Sequence, residues 1–220
     1  MEKRKLLMPK ASNLFHVNDE ADVENYYRAL IGYVYRRRLA VGIEMLDEPS
    51  YSKTLEVGCG SGVLLKTLAA MSDVVYGVDL HAKTAIVEET ARREGFDVSL
   101  ARGDIMKLDF PDNTFDAVIC YSVLEHLSDT DAATAELARV LKPTGTAIIG
   151  FPALNRMMTL LFRLIGFRET EEHHISGHGK VLTSCEKVMR IERIGRFPLL
   201  LPMKAALYFV CKCSKRAVRQ

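Results

Sequence analysis

The chain has 220 residues, 48% of them hydrophobic and 26% charged, and a formal net charge of +2. That suits one soluble globular domain with a sizeable core. A charge so close to zero supplies no global field for steering toward nucleic acid, so no nucleic-acid partner is expected. Five cysteines, without a CxxC pair or zinc spacing, read as reduced, mostly buried cytosolic thiols. Met1-Glu2-Lys3-Arg4-Lys5 is charged, but no apolar h-region follows it, and no stretch is long enough to cross a bilayer. A cytoplasmic protein is expected.

In chain order, Met1 to Phe15 reads as a loose arm. Asp22 to Leu46 shows helical recurrence of Tyr26, Leu30, Tyr33, Val34 and Leu39, with Asp22 as N-cap and Asp47-Glu48-Pro49 as the stop. Within it, Arg36-Arg37-Arg38 reads first as a solvated helix face and second as an attractor of an anionic substrate or lipid headgroup.

Next come Thr54-Leu55-Glu56-Val57 and the turn Gly58-Cys59-Gly60-Ser61-Gly62, followed by Leu64, Leu65, Leu68 and Ala69 at helical spacing. Strand, tight glycine turn and helix in that order form the floor of a ligand crevice at the carboxyl end of a parallel strand. Asp79 closes the next apolar run, where a carboxylate can accept from both hydroxyls of a ribose. A nucleoside-bearing ligand is therefore expected. The dinucleotide fingerprint G-x-G-x-x-G would need a third glycine at position 63, where Val63 stands.

Strands are expected near 53–57, 74–78, 98–101, 115–120 and 145–150. Helices are expected near 62–71, 82–94 and 130–141, with a short one near 123–127. Alternating apolar strands and helices imply a parallel sheet covered on both faces. Thr183 and Glu186 form the pattern of a capping box for a helix to about Met189, and Arg190 to Phe197 and Ala206 to Lys212 read as strands. The closing residues Lys215 to Gln220 read as a frayed basic tail.

The set Glu56-x-Gly58-x-Gly60-x-Gly62 with Asp79, Gly103-Asp104-Ile105, Phe115-Asp116-Ala117-Val118-Ile119 and Leu141-Lys142-Pro143-x-Gly145 resembles the motifs of class I S-adenosylmethionine-dependent methyltransferases. The landmarks stand in the family's order, from Tyr51 to Pro152, and look most like the small-molecule, type 11-like branch. The resemblance implies an α/β, Rossmann-like, seven-stranded, mostly parallel sheet with helices on both faces and an antiparallel last strand. It also implies one methyltransferase domain over 1–220: an N-terminal arm and cap helix (1–50), a cofactor core (51–152), a lid or insert (153–182), and a closing helix and strands (183–213).

By the same resemblance the cofactor is S-adenosyl-L-methionine, leaving as S-adenosyl-L-homocysteine. Gly58, Cys59, Gly60 and Gly62 would let its methionine end lie close, with Glu56 organising that loop or hydrogen-bonding toward the cofactor's amino group. Asp79 and Leu80 would take the ribose, and Asp104 and Ile105 the adenine. Cys120, Tyr121 and Ser122 would face the methyl-bearing portion, and Tyr26 or Tyr27 would reach bound ligand or else pack on the sheet. His126 is the candidate general base, because an imidazole titrates near neutrality; a structural role for the Glu125-His126 pair stays open.

Leu154 to Phe167 has the pattern of an amphipathic helix with a wide apolar face. It reads as a core element, as a lid whose Met158 and Phe162 line an apolar acceptor pocket, or as a peripheral membrane contact. His173, His174 and His178 lack a carboxylate or thiolate to complete a ligand set, so they read first as solvated loop histidines and second as acceptor-site residues, with no metal expected. The expected reaction is methyl transfer to a small molecule. A nicotinamide-dependent oxidoreductase and a non-catalytic cofactor-binding protein of the same fold are the alternatives.

Overall fold

Short apolar runs separated by helical segments can bury both of their faces only as a parallel sheet with helices above and below. In the computed structural model, which describes residues 4–14, 23–81, 83–153, 175–198 and 206–216, this is the arrangement. The strands are β1 (Tyr51–Val57), β2 (Ser72–Asp79), β3 (Ser99–Arg102), β4 (Phe115–Tyr121), β5 (Leu141–Pro152), β6 (Met189–Phe197) and β7 (Tyr208–Lys215). They form one seven-stranded sheet in the order β3-β2-β1-β4-β5-β7-β6. Pairing is parallel from β3 to β5, and β7 enters antiparallel between β5 and β6. β1 is central: Leu55 lies opposite Tyr76 of β2 on one side and Val118 of β4 on the other.

The helices are α1 (Ala29–Ile43), α2 (Leu65–Ala69), α3 (Thr84–Glu94), α4 (Thr130–Val140) and α5 (His178–Val188). Side chains of α1, α2 and α3, including Leu39, Leu65, Leu68 and Val87, pack with Ile119 and Ile148 on one face of the sheet. Leu137 of α4 and Val181 of α5 pack with Phe115, Val118 and Ile149 on the other. The Asp129 carboxylate caps α4 by accepting from the Ala132 N–H at 3.0 Å, and Gly95 ends α3 in the left-handed region at φ +73°.

Several expectations need correction. The amino-terminal arm is not loose over residues 4–14: the Leu7 N–H donates to Thr67 Oγ1 at 2.9 Å, and Thr90 Oγ1 donates to the Asn13 carbonyl at 2.9 Å. The helix expected from Asp22 begins instead at Ala29, after a 3₁₀ turn at Val23–Tyr26. The second expected helix shrinks to Leu65–Ala69 because Gly62, Val63 and Leu64 complete the turn that precedes it. Thr183 is not a cap. α5 starts five residues earlier at His178, and the Thr183 hydroxyl donates to the Gly179 carbonyl within the helix.

His178 is likewise helical rather than a loop residue, with its ring 5.5 Å from that of Phe209. Lys215 belongs to β7, where its ammonium donates to Asn113 Oδ1 and to the Leu141 carbonyl, so the basic tail is held up to that point. The arginine run is no solvated face either. Arg37 pairs with Glu44, Arg36 donates to the Tyr26 carbonyl, and Arg38 turns into the protein. The amphipathic helix read over 154–167, with Met158 and Phe162, and the histidines His173 and His174 lie outside the described residues. Among the described residues, no helix is long and apolar enough to cross a membrane, and no cluster of His, Cys, Asp and Glu is arranged to hold a metal ion.

Candidate active site

The strand order reverses between β1 and β4, and the chain leaves their carboxyl ends toward opposite faces of the sheet, α2 on one and α4 on the other, which opens a crevice there. A cleft of about 440 Å³ occupies it, bounded by the ends of β1, β2 and β4 and by the segments that follow β2, β3 and β4. Its polar lining comprises the backbone of Gly58, Asp79, His81, Asp104, Ser122 and His126. Val57, Val78, Ile105, Val123, Leu127 and Ile175 form its apolar wall.

The glycine turn owes its course to two backbone constraints. Gly58 sits at φ +78°, and a Cβ there would fall 2.1 Å from Val123 Cγ2, so the close approach of the loop after β1 to the loop after β4 requires glycine. Gly62, at φ +75°, sits against α3, where a Cβ would come within 2.6 Å of Val87 Cγ1. Its role is packing of the turn onto α3.

Asp79 ties this turn to β2. Its Oδ2 accepts from the Gly60 N–H at 2.9 Å and its Oδ1 from the His81 N–H at 2.8 Å, which fixes the carboxylate at the cleft's edge. Asp104 Oδ1 accepts from the Met106 N–H at 2.9 Å, which closes the turn after β3 and leaves the rest of that exposed carboxylate toward solvent. Beneath the turn, Glu56 is buried and its Oε2 has no hydrogen-bond partner among the described residues. Burial, reinforced by the neighbouring Asp79 charge, holds the Glu56 carboxyl well above the usual carboxylate range.

At the end of β4, Ser122 adopts φ +55°, rare for a residue with a Cβ, and its N–H is held by the Gly150 carbonyl at 2.9 Å. A 3₁₀ turn, Leu124–His126, follows and presents His126 to the cleft. Behind Ser122 lies a polar group of residues that the sequence did not single out as a unit. Arg38 of α1 donates to the Tyr26 hydroxyl at 2.8 Å, lies 3.4 Å from Ser122 Oγ, and has its guanidinium 4.6 Å from the ring centre of Tyr35 and 5.3 Å from that of Tyr208. Burial acts to lower the Arg38 pKa, but the surrounding tyrosines outweigh it and keep the guanidinium charged. Tyr208 and Ser122 hydroxyls are 2.8 Å apart, and Glu125, only 2% exposed, follows in the 3₁₀ turn with its Oε2 buried and without a hydrogen-bond partner among the described residues.

The sequence-derived residues therefore separate into those that meet at the cleft and those that do not. Gly58, Asp79, Leu80, Asp104, Ile105, Ser122 and His126 surround it. Gly60 and Gly62 shape the turn beside it, and Glu56, Cys59 and Cys120 are buried behind it. The Tyr121 side chain passes under α1, where its hydroxyl donates to the Leu39 carbonyl at 3.0 Å. Among the described residues, Tyr26 is linked to the cleft through Arg38 and Ser122. Arg38 and Tyr208 were missed because 84 and 86 residues separate them from Ser122. The one local signal for Arg38 is its position one turn from Tyr35 on the apolar side of the helix.

A protein-family profile described as "Methyltransferase domain" matches residues 55–149. Among curated relatives, a sterol 24-C-methyltransferase of Aspergillus fumigatus is 32% identical over 136 residues, covering 60% of this chain and 34% of that protein. A ubiquinone biosynthesis O-methyltransferase of Methylococcus capsulatus is 33% identical over 117 residues, covering 52% of this chain and 48% of the relative. The chain thus spans between a third and a half of the length of these relatives. Among solved structures, a Pyrococcus horikoshii protein superposes with a TM-score of 0.69 at 21% identity, over 88% of this chain and 99% of the other. The N-methyltransferase NodS of Bradyrhizobium japonicum, in complex with S-adenosyl-L-homocysteine, superposes with a TM-score of 0.65 at 16% identity, over 92% and 95% of the two chains. At these identities the structural likeness concerns the fold.

Proposed function

Because the chain belongs to the class I S-adenosylmethionine-dependent methyltransferases, we propose that it transfers a methyl group from S-adenosylmethionine to a small molecule. The observation that carries this reading is the meeting of the Gly58 backbone, Asp79 and Asp104 around one cleft at the point where the strand order reverses. The residues fit the cofactor: Gly58 leaves an approach that any Cβ would fill, and Glu56 keeps an unpartnered oxygen beneath the turn.

In this reading Asp79 takes the ribose hydroxyls, Asp104 accepts from the adenine amino group beside Ile105, and the turn at Gly58 and Gly60 receives the methionine end. The bound cofactor supplies an electrophilic methyl group on a sulfonium sulfur, displaced in line by the acceptor. The protein's task is to position the reactants and exclude water. Val57, Val78, Val123 and Leu127 supply the dry wall, which favours a step that disperses charge. Ser122, His126 and Ile175 line the part of the cleft assigned to the acceptor.

The names of the ubiquinone and sterol methyltransferases support an acceptor of small-molecule size and apolar character. Titration calorimetry with S-adenosylhomocysteine tests the cofactor assignment. Asp79→Ala is expected to weaken binding tenfold or more, about 1.4 kcal/mol, for the loss of hydrogen bonds to a charged group. Unchanged affinity in a folded variant rejects the role of Asp79. Release of S-adenosylhomocysteine from S-adenosylmethionine against hydroxylated aromatics, quinone precursors and lipids tests the reaction itself. Binding without turnover on any of them favours a non-catalytic protein of the same fold.

A further inference from the structure

We infer that the Arg38 guanidinium is the anion-binding group of the acceptor site, so that the methyl acceptor is an acid, an apolar body carrying a carboxylate or phosphate. The inference rests on the methyltransferase reading above and names a substrate class for it. Arg38 makes no ion pair with a carboxylate among the described residues, whereas Arg37 pairs with Glu44, and Arg139 with Asp112 and Glu136. Its Nη2 donates to the Tyr26 hydroxyl at 2.8 Å, and its Nη1 to Ser122 Oγ at 3.4 Å, near the outer limit of a hydrogen bond. Each of these nitrogens carries a further N–H without a partner among the described residues. Nε is buried and likewise has no hydrogen-bond partner. The donors of this cation are therefore underused.

The surroundings orient the charge without cancelling it. The rings of Tyr35, Tyr208 and Tyr26 stand 4.6, 5.3 and 5.8 Å from the guanidinium carbon. Their π faces attract the cation and lessen the cost of enclosing it, but a ring carries no net charge. Glu125 also feels this charge; its own burial, the larger influence, pushes its carboxyl up to about 7, so it offsets the guanidinium only in part under neutral conditions. Arg38 keeps part of its surface exposed, and it meets the cleft at Ser122, which lines it. An anion entering beside Ser122 finds the unpartnered Nη N–H groups, which a guanidinium presents as a planar fork matched to two oxygens of one group.

The same geometry selects a small molecule over a membrane. Arg36 and Arg37 are engaged by the Tyr26 carbonyl and by Glu44, and a guanidinium set among three tyrosine rings is out of reach of a flat anionic surface. A narrow acid entering the cleft reaches it. The apolar remainder of that molecule meets Val123, Leu127 and Ile175. Asp79 and Asp104, on the β2 and β3 side of the cleft, repel an anion from the part assigned to the nucleoside. Attraction at Arg38 and repulsion at the two aspartates together give the acceptor one orientation.

Nε–Hε spectra of the full chain, ¹⁵N-labelled on arginine and saturated with S-adenosylhomocysteine, read this directly. The Arg38 signal is the one lost in Arg38→Lys or, should that variant not fold, the one moved by Tyr35→Leu. Benzoate, phenyl phosphate and benzamide are the probes. At least one of the two anions is expected to shift the signal saturably and neutral benzamide is not; which anion acts distinguishes a carboxylic acid from a phosphate ester. No shift with either anion, or an equal shift with benzamide, overturns the proposal. In Arg38→Met, which keeps an unbranched apolar stem, affinity for the active anion is expected to fall about tenfold or more, with affinity for S-adenosylhomocysteine unchanged. Unchanged anion affinity in the folded variant overturns the proposal and leaves the methyltransferase reading intact. Loss of both affinities marks Arg38 as a structural clamp and overturns it too. If S-adenosylhomocysteine does not bind the wild type, the methyltransferase reading fails, and the same anion titration of the free chain still decides whether Arg38 holds an anion.

Discussion

Gly58 is the residue with the least tolerance for change in the cleft. Its φ of +78° strains any L side chain, and its Cβ position lies 2.1 Å from Val123 Cγ2. Gly58→Ala must therefore push the loop after β1 away from the loop after β4, the two segments on which the proposed cofactor site depends. Affinity for S-adenosylhomocysteine is expected to drop at least tenfold, with a stability loss of about 1–3 kcal/mol for the strained backbone. Calorimetry and thermal denaturation of the same preparation separate the two effects. Gly60 makes a useful contrast: it also has positive φ, at +48°, but its Cβ position meets nothing within 4 Å. Alanine there adds backbone strain without a clash, so the smaller loss belongs to Gly60.

Among the elements, the amino-terminal arm and α3 are joined through one carboxylate. Glu94, at the last turn of α3, has a side chain only 2% exposed; it accepts from the Lys66 ammonium at 2.6 Å, the Lys10 N–H at 2.8 Å and the Asn13 side chain. Burial acts to raise its pKa, but these hydrogen bonds, the Lys66 ammonium first, outweigh it and carry the carboxyl down to about 2. The sign follows from linkage. A carboxyl with a folded value below its unfolded one contributes stability above about pH 4.5, and that stability is lost as the pH falls toward 2. Glu94→Gln is expected to lower the melting temperature at pH 7 and to make little difference near pH 2. A melting-temperature profile of both forms across that range checks it; a constant offset at all pH values means the glutamine disturbs packing and the charge is not what matters. Proteolysis of the arm is expected to quicken in the variant, because Leu6, Met8 and Leu14 then lose part of what holds them over α2 and α3.

For the molecule as a whole, the antiparallel end of the sheet closes the core. Cys211 and Cys213 of β7 and Cys185 of α5 pack there at 0% exposure, and Cys59 and Cys120 are buried near the cleft. Burial pushes up the thiols of Cys59, Cys120 and Cys211. A hydrogen bond with Cys185 and then burial do the same for Cys213. Thiols that are inaccessible and protonated are poor nucleophiles. All five are expected to resist a thiol reagent in the native protein and to react together on unfolding, so the modification rate reports global opening. Fast reaction of one thiol under native conditions locates a part of the sheet that opens by itself.

The local patterns were sufficient for the sheet, the glycine turn, and the carboxylates at the ends of the second strand and after the third. Period-2 and continuous apolar runs, a break at glycine and an acid closing a strand each follow from interactions within a few residues. The start of α1 was misplaced for the same reason: Tyr27 is held by a hydrogen bond to the Pro9 carbonyl at 2.6 Å, and no nearby residue announces it. Arg38, Ser122 and Tyr208 come together only when α1, the end of β4 and the antiparallel β7 meet. A run of arginines carries the same charge whether it faces water or tyrosine rings. Only the packing of distant elements decides which side chain loses its solvent, and so which arginine of the run is enclosed by tyrosine rings beside the cleft.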